Sequence, residues 1–204
     1  MARRQHADPL KRARSNSRNY KRVIYLATEG HTEAEYFVMS AFRKSSTYVV
    51  QPLRKSSDNN SSPYATLQLV KKGMRNKRLE NGDQVWVLVD RDDWTQEDLS
   101  SLIKWADEAP NHHLAISSPK FELFLLHHYE DAKGCTTSKT IDDRLKNHWP
   151  DYRKHVPRDQ FGAAEVEAAV TRSERKRVSC ESVVPDAGIT DAYKLARFLL
   201  DGRA

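Results

Sequence analysis

Two apolar runs that end in carboxylates decide the reading of this chain: Val23-Ile24-Tyr25-Leu26-Ala27-Thr28-Glu29-Gly30 and Val85-Trp86-Val87-Leu88-Val89-Asp90-Arg91-Asp92. Each run is the length of a strand. The second is apolar at every position from Val85 to Val89, the pattern of a strand covered on both faces. The residues after the first run read as a helix. Gly30 permits a bend, Thr32 and Glu35 have capping-box spacing, and Ala34, Phe37, Val38 and Ala41 recur at helical intervals. Glu29 is thereby placed in a strand-to-helix turn, facing the positive end of a helix.

The same alternation continues along the chain. Tyr48 to Leu53 reads as a strand near a sheet edge, because Pro52 cannot donate to a central ladder. Arg54 to Ser62 is a polar loop. Ser62-Pro63 opens a helix with Leu67, Val70 and Met74 on its buried side, and Asn81-Gly82 closes that unit. Thr95 caps a helix carrying Leu99, Leu102, Ile103 and Ala106. His113 to Ser117 is a fourth, weaker strand, and Ser118-Pro119 begins a helix over Phe121 to Tyr129. The order βαβαβαβα predicts an α/β protein with a mostly parallel sheet of about four strands between helices. Three regions follow: a flexible basic arm over 1–20, a core over 21–130, and a mainly helical extension over 131–204. In the extension, Ala163 to Arg177 and Thr190 to Leu200 read as helices and 133–160 as a poorly patterned connection.

Composition narrows the class. The chain has 204 residues, 30% of them charged, and a formal net charge of +6. Its mean hydropathy is −0.78 and its pI about 9.3. No run of about 18 apolar residues exists, and no apolar stretch follows the basic N-terminus, so neither a membrane span nor a signal peptide is expected. Cys135 and Cys180 are isolated and give no disulfide framework. A cytoplasmic protein is expected. The positive charge is uneven: eight Lys or Arg lie between Arg3 and Arg22 against the single acid Asp8, and a second stretch runs Arg172-Ser173-Glu174-Arg175-Lys176-Arg177. Basic segments of this kind attract polyanions through phosphate contacts and counterion release. Arg12, Arg14, Arg18, Arg175, Lys176 and Arg177 are the candidate nucleic-acid contacts. Lys120 joins them as a cation able to neutralise charge developing on a phosphoryl group.

Glu29, Asp90 and Asp92 are the candidate site. In an open α/β sheet, sites form at the carboxyl ends of strands. Mg²⁺ and Mn²⁺ take carboxylate oxygens, and alternate residues of an extended Asp-x-Asp project to one face. Such acids point to divalent-metal chemistry on a phosphodiester. Glu29 would be a further ligand or a general acid/base, and one-metal and two-metal schemes both stay open. Taken singly, acids after strands are ordinary loop residues, so the conjunction carries the reading. The adjacent pairs His112-His113 and His127-His128 do not share a helix face, which disfavours zinc. No phosphate-binding glycine loop is present, so the chain has no ATPase of its own.

These residues resemble the Toprim domain, which carries a glutamate at the end of its first strand and an Asp-x-Asp at the end of a later one. The chain is more specifically similar to the RloB-like proteins, small Toprim-type proteins linked to bacterial abortive infection. That family has a basic N-terminus, Glu-Gly-x-x-Thr/Glu after an apolar strand, Asp-Arg-Asp after another, and Asn-Pro-x-Phe-Glu-x-Trp-Leu-Leu-x-His. The last motif reads here Ser118-Pro119-Lys120-Phe121-Glu122-Leu123-Phe124-Leu125-Leu126-His127-His128. Ser118 replaces the usual Asn and Phe124 the usual Trp. The likeness spans roughly residues 20 to 130. It implies a Toprim-like, Rossmannoid fold and adds Glu122 to the site as an auxiliary ligand. It also implies a nuclease acting on DNA or RNA, tRNA included, in antiphage defence. A separate ATPase of the AAA or ABC type would control it, and a homo-oligomer is compatible with the reading. The rival is a non-catalytic adaptor on the same scaffold, binding the ATPase or nucleic acid without cutting.

Overall fold

The computed structural model describes residues 21–43, 47–53, 62–91 and 94–202. The arm over 1–20 with Arg12, Arg14 and Arg18, most of the polar loop after Leu53, and Asp92 lie outside the described residues.

The elements are β1 (Arg22–Thr28), α1 (His31–Phe37), α2 (Ser40–Arg43), β2 (Tyr48–Pro52), α3 (Pro63–Met74), β3 (Gln84–Asp90), α4 (Gln96–Asp107), β4 (His112–Ser118), α5 (Glu122–Leu126), α6 (Ser138–His148), α7 (Ala163–Arg177), β5 (Ile189–Thr190) and α8 (Ala192–Asp201). They build a five-stranded sheet in the order β2-β1-β3-β4-β5. The first four strands are parallel to their neighbours, and β5 pairs antiparallel with β4. β2 sits at an edge, where Pro52 costs no ladder bond on its outer side.

Side-chain alternation along the central strands explains their unbroken hydrophobicity. Ile24, Leu26, Trp86 and Leu88 face a core filled by α1, α2, α5, α7 and α8. Tyr25, Ala27, Val85, Val87 and Val89 face a second core under α3 and α4. Both faces are dry, so neither phase of the alternation can be polar. α7 and α8, late in the chain, contribute Val166, Val170, Leu195 and Leu199 to the first core beside β1 and β3.

Expected caps are present at Ser62, whose hydroxyl accepts from Ala65 N at 3.1 Å, and at Thr95, which forms a capping box with Asp98. Other expectations need correction. The sheet has five strands rather than about four; a two-residue strand is too short to show alternation. Thr190 belongs to β5, and the last helix starts at Ala192. The segment 133–160 contains α6, hidden in the sequence because only Ile141 and Leu145 are buried on it. Ser118 closes β4 and is joined to Pro119 by a cis peptide bond. The helix expected over 121–129 is the shorter α5. The helix expected through Ala41 is divided into α1 and α2.

Thr32 and Glu35 do not form a capping box. Thr32 Oγ1 donates to Lys154 O at 3.0 Å, and Glu35 Oε2 accepts from Val156 N at 2.9 Å. A tertiary segment has taken both groups from the helix end. Among the described residues, no helix is long and apolar enough to cross a membrane. Cys135 and Cys180 are buried free thiols.

Candidate functional site

The ends of β1, β3 and β4 are laced together by groups from the sequence motifs. β1 and β3 are neighbours, with Thr28 opposite Leu88. The pairing runs one residue past β1, where Glu29 N donates to Leu88 O at 3.3 Å. The Glu29 carboxylate then turns to the adjacent strand: its Oε2 accepts from Asp90 N at 3.2 Å. Asp90 Oδ1 accepts from Phe121 N at 2.9 Å, which fastens the turn after β4 to the end of β3. Arg91 N donates to Ser117 O at 2.7 Å, and Arg91 Nη1 donates to Pro185 O at 2.9 Å. The Arg91 guanidinium thus holds the segment leading into β5.

Glu122 is 6% exposed at the start of α5. Its Oε1 accepts from the Tyr152 hydroxyl at 3.0 Å, and its Oε2 is 4.0 Å from Lys120 Nζ. Lys120 is itself buried and pairs with Asp142 at 2.7 Å. Burial first, and then the negative charge of Glu122, push the Tyr152 phenol well above its ordinary acidity range. The phenol therefore stays protonated and donates a hydrogen bond to Glu122.

A further carboxylate, Glu33, stands at the Thr/Glu position of the Glu-Gly-x-x-Thr/Glu motif, though the sequence reading does not count it among the site residues. It is 4% exposed in the first turn of α1 and also raises the Tyr152 pKa through its charge. Gly30, in extended conformation at φ −112°, serves it by lacking a side chain: a Cβ there would stand 2.8 Å from Glu33 Oε2. The signal for Glu33 is its position four residues after Glu29, within the first turn of the helix that follows. Its acidity invites the simpler reading of a residue complementing the helix dipole.

The structure therefore joins Glu29 to Asp90, ties Asp90 to the residue before Glu122, and directs Glu122 toward Tyr152. Asp92 is outside the described residues. Among the described residues, no three His, Cys, Asp or Glu side chains gather as a metal cluster.

The candidate phosphate contacts in the second basic stretch have internal partners. Arg177 Nε pairs with Asp191 at 2.8 Å and donates through its other nitrogens to Cys180 O and Ser182 O. Lys176 Nζ donates to Ala132 O at 2.8 Å. Arg175 pairs with Asp131, though most of its side chain stays in solvent. His127 and His128 are core groups. Burial pushes both down to about 3, so they are neutral. His128 Nδ1 faces the carbonyls of Phe124 and Leu125 and so carries the proton, leaving Nε2 to accept from Tyr36 OH at 2.9 Å.

A family model described as RloB-like protein matches residues 24–199. The chain belongs to the RloB-like family. The match begins within β1 and ends within α8, so it takes in both acid-bearing strand ends and the late helices that the sequence likeness covered only loosely. Comparison with curated proteins gave no match, and comparison with solved structures gave none. In this RloB-like protein the candidate acids expected from the sequence that lie among the described residues are Glu29, Asp90 and Glu122. The Asn-to-Ser change at Ser118 falls on a buried residue whose carbonyl accepts from Gly188 N at 2.8 Å. That backbone bond is open to either side chain.

Proposed function

We propose that this RloB-like protein is a metal-dependent nuclease of the Toprim type, hydrolysing phosphodiester bonds of nucleic acid in an antiphage system controlled by a partner ATPase. The observation that carries the reading is the contact between Glu29 and the end of β3. It sets two acidic strand ends side by side at the carboxyl edge of a parallel sheet, where α/β proteins build their sites.

The donor set suits Mg²⁺ or Mn²⁺. Glu29, Asp90 and Asp92 offer only oxygen, and Mg²⁺ is held in many sites by one or two carboxylates plus water. A bound ion would supply charge stabilisation for the phosphate and acidify water for attack. The chain's own residues do the rest. Glu29 is a ligand or general acid/base, and its bond to the Asp90 amide fixes where its second oxygen points. Phe121 N holds Asp90 by one oxygen. Glu122, in the first turn of α5 after β4, would be an auxiliary carboxylate. Of the candidate phosphate contacts, Arg175 keeps most of its side chain in solvent, and with Arg12, Arg14 and Arg18 it would meet phosphate backbones.

One observation favours the adaptor reading. Lys120, Lys176 and Arg177 are engaged within the fold, which leaves less basic surface for a substrate. Incubating the purified protein with plasmid DNA and with total RNA, each with Mg²⁺, Mn²⁺ or EDTA, separates the readings. A nuclease cuts one of them only with metal. An adaptor cuts neither and shows no calorimetric heat with Mg²⁺.

A further inference from the structure

The sequence between α6 and α7 has no pattern, yet it reaches Glu122 and is tied down just beyond the residue that does so. Lys154 O takes the Thr32 hydroxyl. His155 Nδ1 and Val156 N both lie 2.9 Å from Glu35 Oε2. Arg158 O accepts from Ser40 N at 2.8 Å. These bonds strap residues 154–158 onto α1 and α2, the elements that directly follow Glu29. Lys154 adopts φ +57°, a left-handed conformation that a lysine holds here with its carbonyl on Thr32.

Tyr152 sits just before this strap, 7% exposed, its ring against Trp149 at 4.9 Å between centroids. Its hydroxyl is 3.0 Å from Glu122 Oε1. We propose that Tyr152 is a positioning residue for the strand-end site, holding Glu122 by one oxygen so that the other, beside Lys120, is presented in a single orientation. The proposal rests on the nuclease reading of that site.

The groups around Glu122 leave Tyr152 this task. Lys120 approaches the other oxygen at 4.0 Å and is drawn away by Asp142 at 2.7 Å. Glu33, on α1, places negative charge near Tyr152 and offers no donor. The Tyr152 hydroxyl donates to Glu122 Oε1 at 3.0 Å, and groups that orient a ligating or reacting carboxylate act through such bonds. Packing alone does not explain the hydroxyl, because phenylalanine would fill the same volume.

The test is Tyr152→Phe, which keeps the ring and removes the donor. Cleavage is followed on plasmid DNA and on total tRNA, using whichever the parent cuts, over a Mg²⁺ series. The expected result is a roughly tenfold to hundredfold loss in kcat with a raised Mg²⁺ half-saturation, an unchanged KM for nucleic acid and a nearly unchanged Tm. In a Glu122→Gln background the same change should add little, because Tyr152 acts through Glu122. Parent-like kcat and Mg²⁺ dependence in Tyr152→Phe would overturn the assignment while leaving the nuclease reading intact. So would a loss explained wholly by a lower Tm, or full additivity with Glu122→Gln. A parent that neither cuts nor binds Mg²⁺ overturns both.

Discussion

The Asp90 amide donates to Glu29 Oε2 across 3.2 Å, from the end of one parallel strand to the end of its neighbour. The bond makes the two acids one unit, although 61 residues separate them in the chain. It has a direct consequence for variants. Glu29→Gln keeps an oxygen that can accept from Asp90 N, and Asp90→Asn keeps one for Phe121 N. Both should fold with little change in Tm and lose cleavage by about a hundredfold or more, on the order expected when a metal-holding or proton-transferring carboxylate is neutralised. Circular dichroism and a metal-supplemented cleavage assay, run on the same preparations, check this. Cutting at the parent rate by both variants would remove these acids from the site.

Metal should also report on stability. An ion bound to the folded state alone stabilises it by mass action, by about 2.7 kcal/mol at a hundred times its dissociation constant, and so raises Tm. Thermal melts of the parent should rise with Mg²⁺ or Mn²⁺ and fall back with EDTA, and those of Asp90→Asn should not respond.

Gly30 leaves space for the Glu33 carboxylate. Gly30→Ala would drive a methyl to within 2.8 Å of the Glu33 carboxylate, which is buried. Overpacking against a buried group costs about 1 to 3 kcal/mol. Urea unfolding should show a loss in that range. A loss near zero would mean that the Glu33 side chain moves aside freely.

Arg177 tests the fate of the second basic stretch. Its ion pair with Asp191 is nearly buried, with side chains 12% and 3% exposed, and Lys194 also reaches Asp191 at 2.8 Å. Arg177→Ala leaves Asp191 with the more exposed partner and should cost about 2 to 4 kcal/mol. Arg175→Ala should leave Tm nearly unchanged. If Arg177 were instead a phosphate contact, its removal would lower nucleic-acid affinity and the salt dependence of binding at constant Tm.

Acid should unfold the protein through its adjacent buried histidines. His127 and His128 are neutral in the fold, with values of about 3 set by burial, whereas the unfolded chain titrates near about 6.5. Between these values the unfolded state binds more protons, so stability falls as pH falls. The contribution is fully present above about pH 6.5 and is lost progressively toward about pH 3. At about pH 5 each histidine costs about 2 kcal/mol. Tm measured from about pH 7 to about pH 5 should drop steeply, and His127→Phe should flatten the slope.

The sequence carried the strand ends well because their chemistry is local. Val85–Val89 could only be a strand with both faces covered, and an acid at such an end is visible without the fold. Pro63 behind Ser62, and Thr95 before Asp98, marked helix starts because caps act within about four residues. Thr32 and Glu35 misled for the complementary reason. Their spacing matches a cap, but Lys154, His155 and Val156, about 120 residues away, compete for the same groups and prevail. α6 and β5 were illegible because one buries only two apolar residues and the other is only two residues long.

By itself the sequence determined the α/β class, the edge position of β2, and Glu29 and Asp90 at strand ends, since each follows from patterns a few residues wide. Only tertiary structure decided that β1 and β3 lie side by side, that Tyr152 meets Glu122 with Glu33 charge nearby, and that Lys176 and Arg177 turn inward. Those outcomes depend on pairing between distant segments, where hydrogen bonds and ion pairs go to whichever partner the packed core brings within about 3 Å.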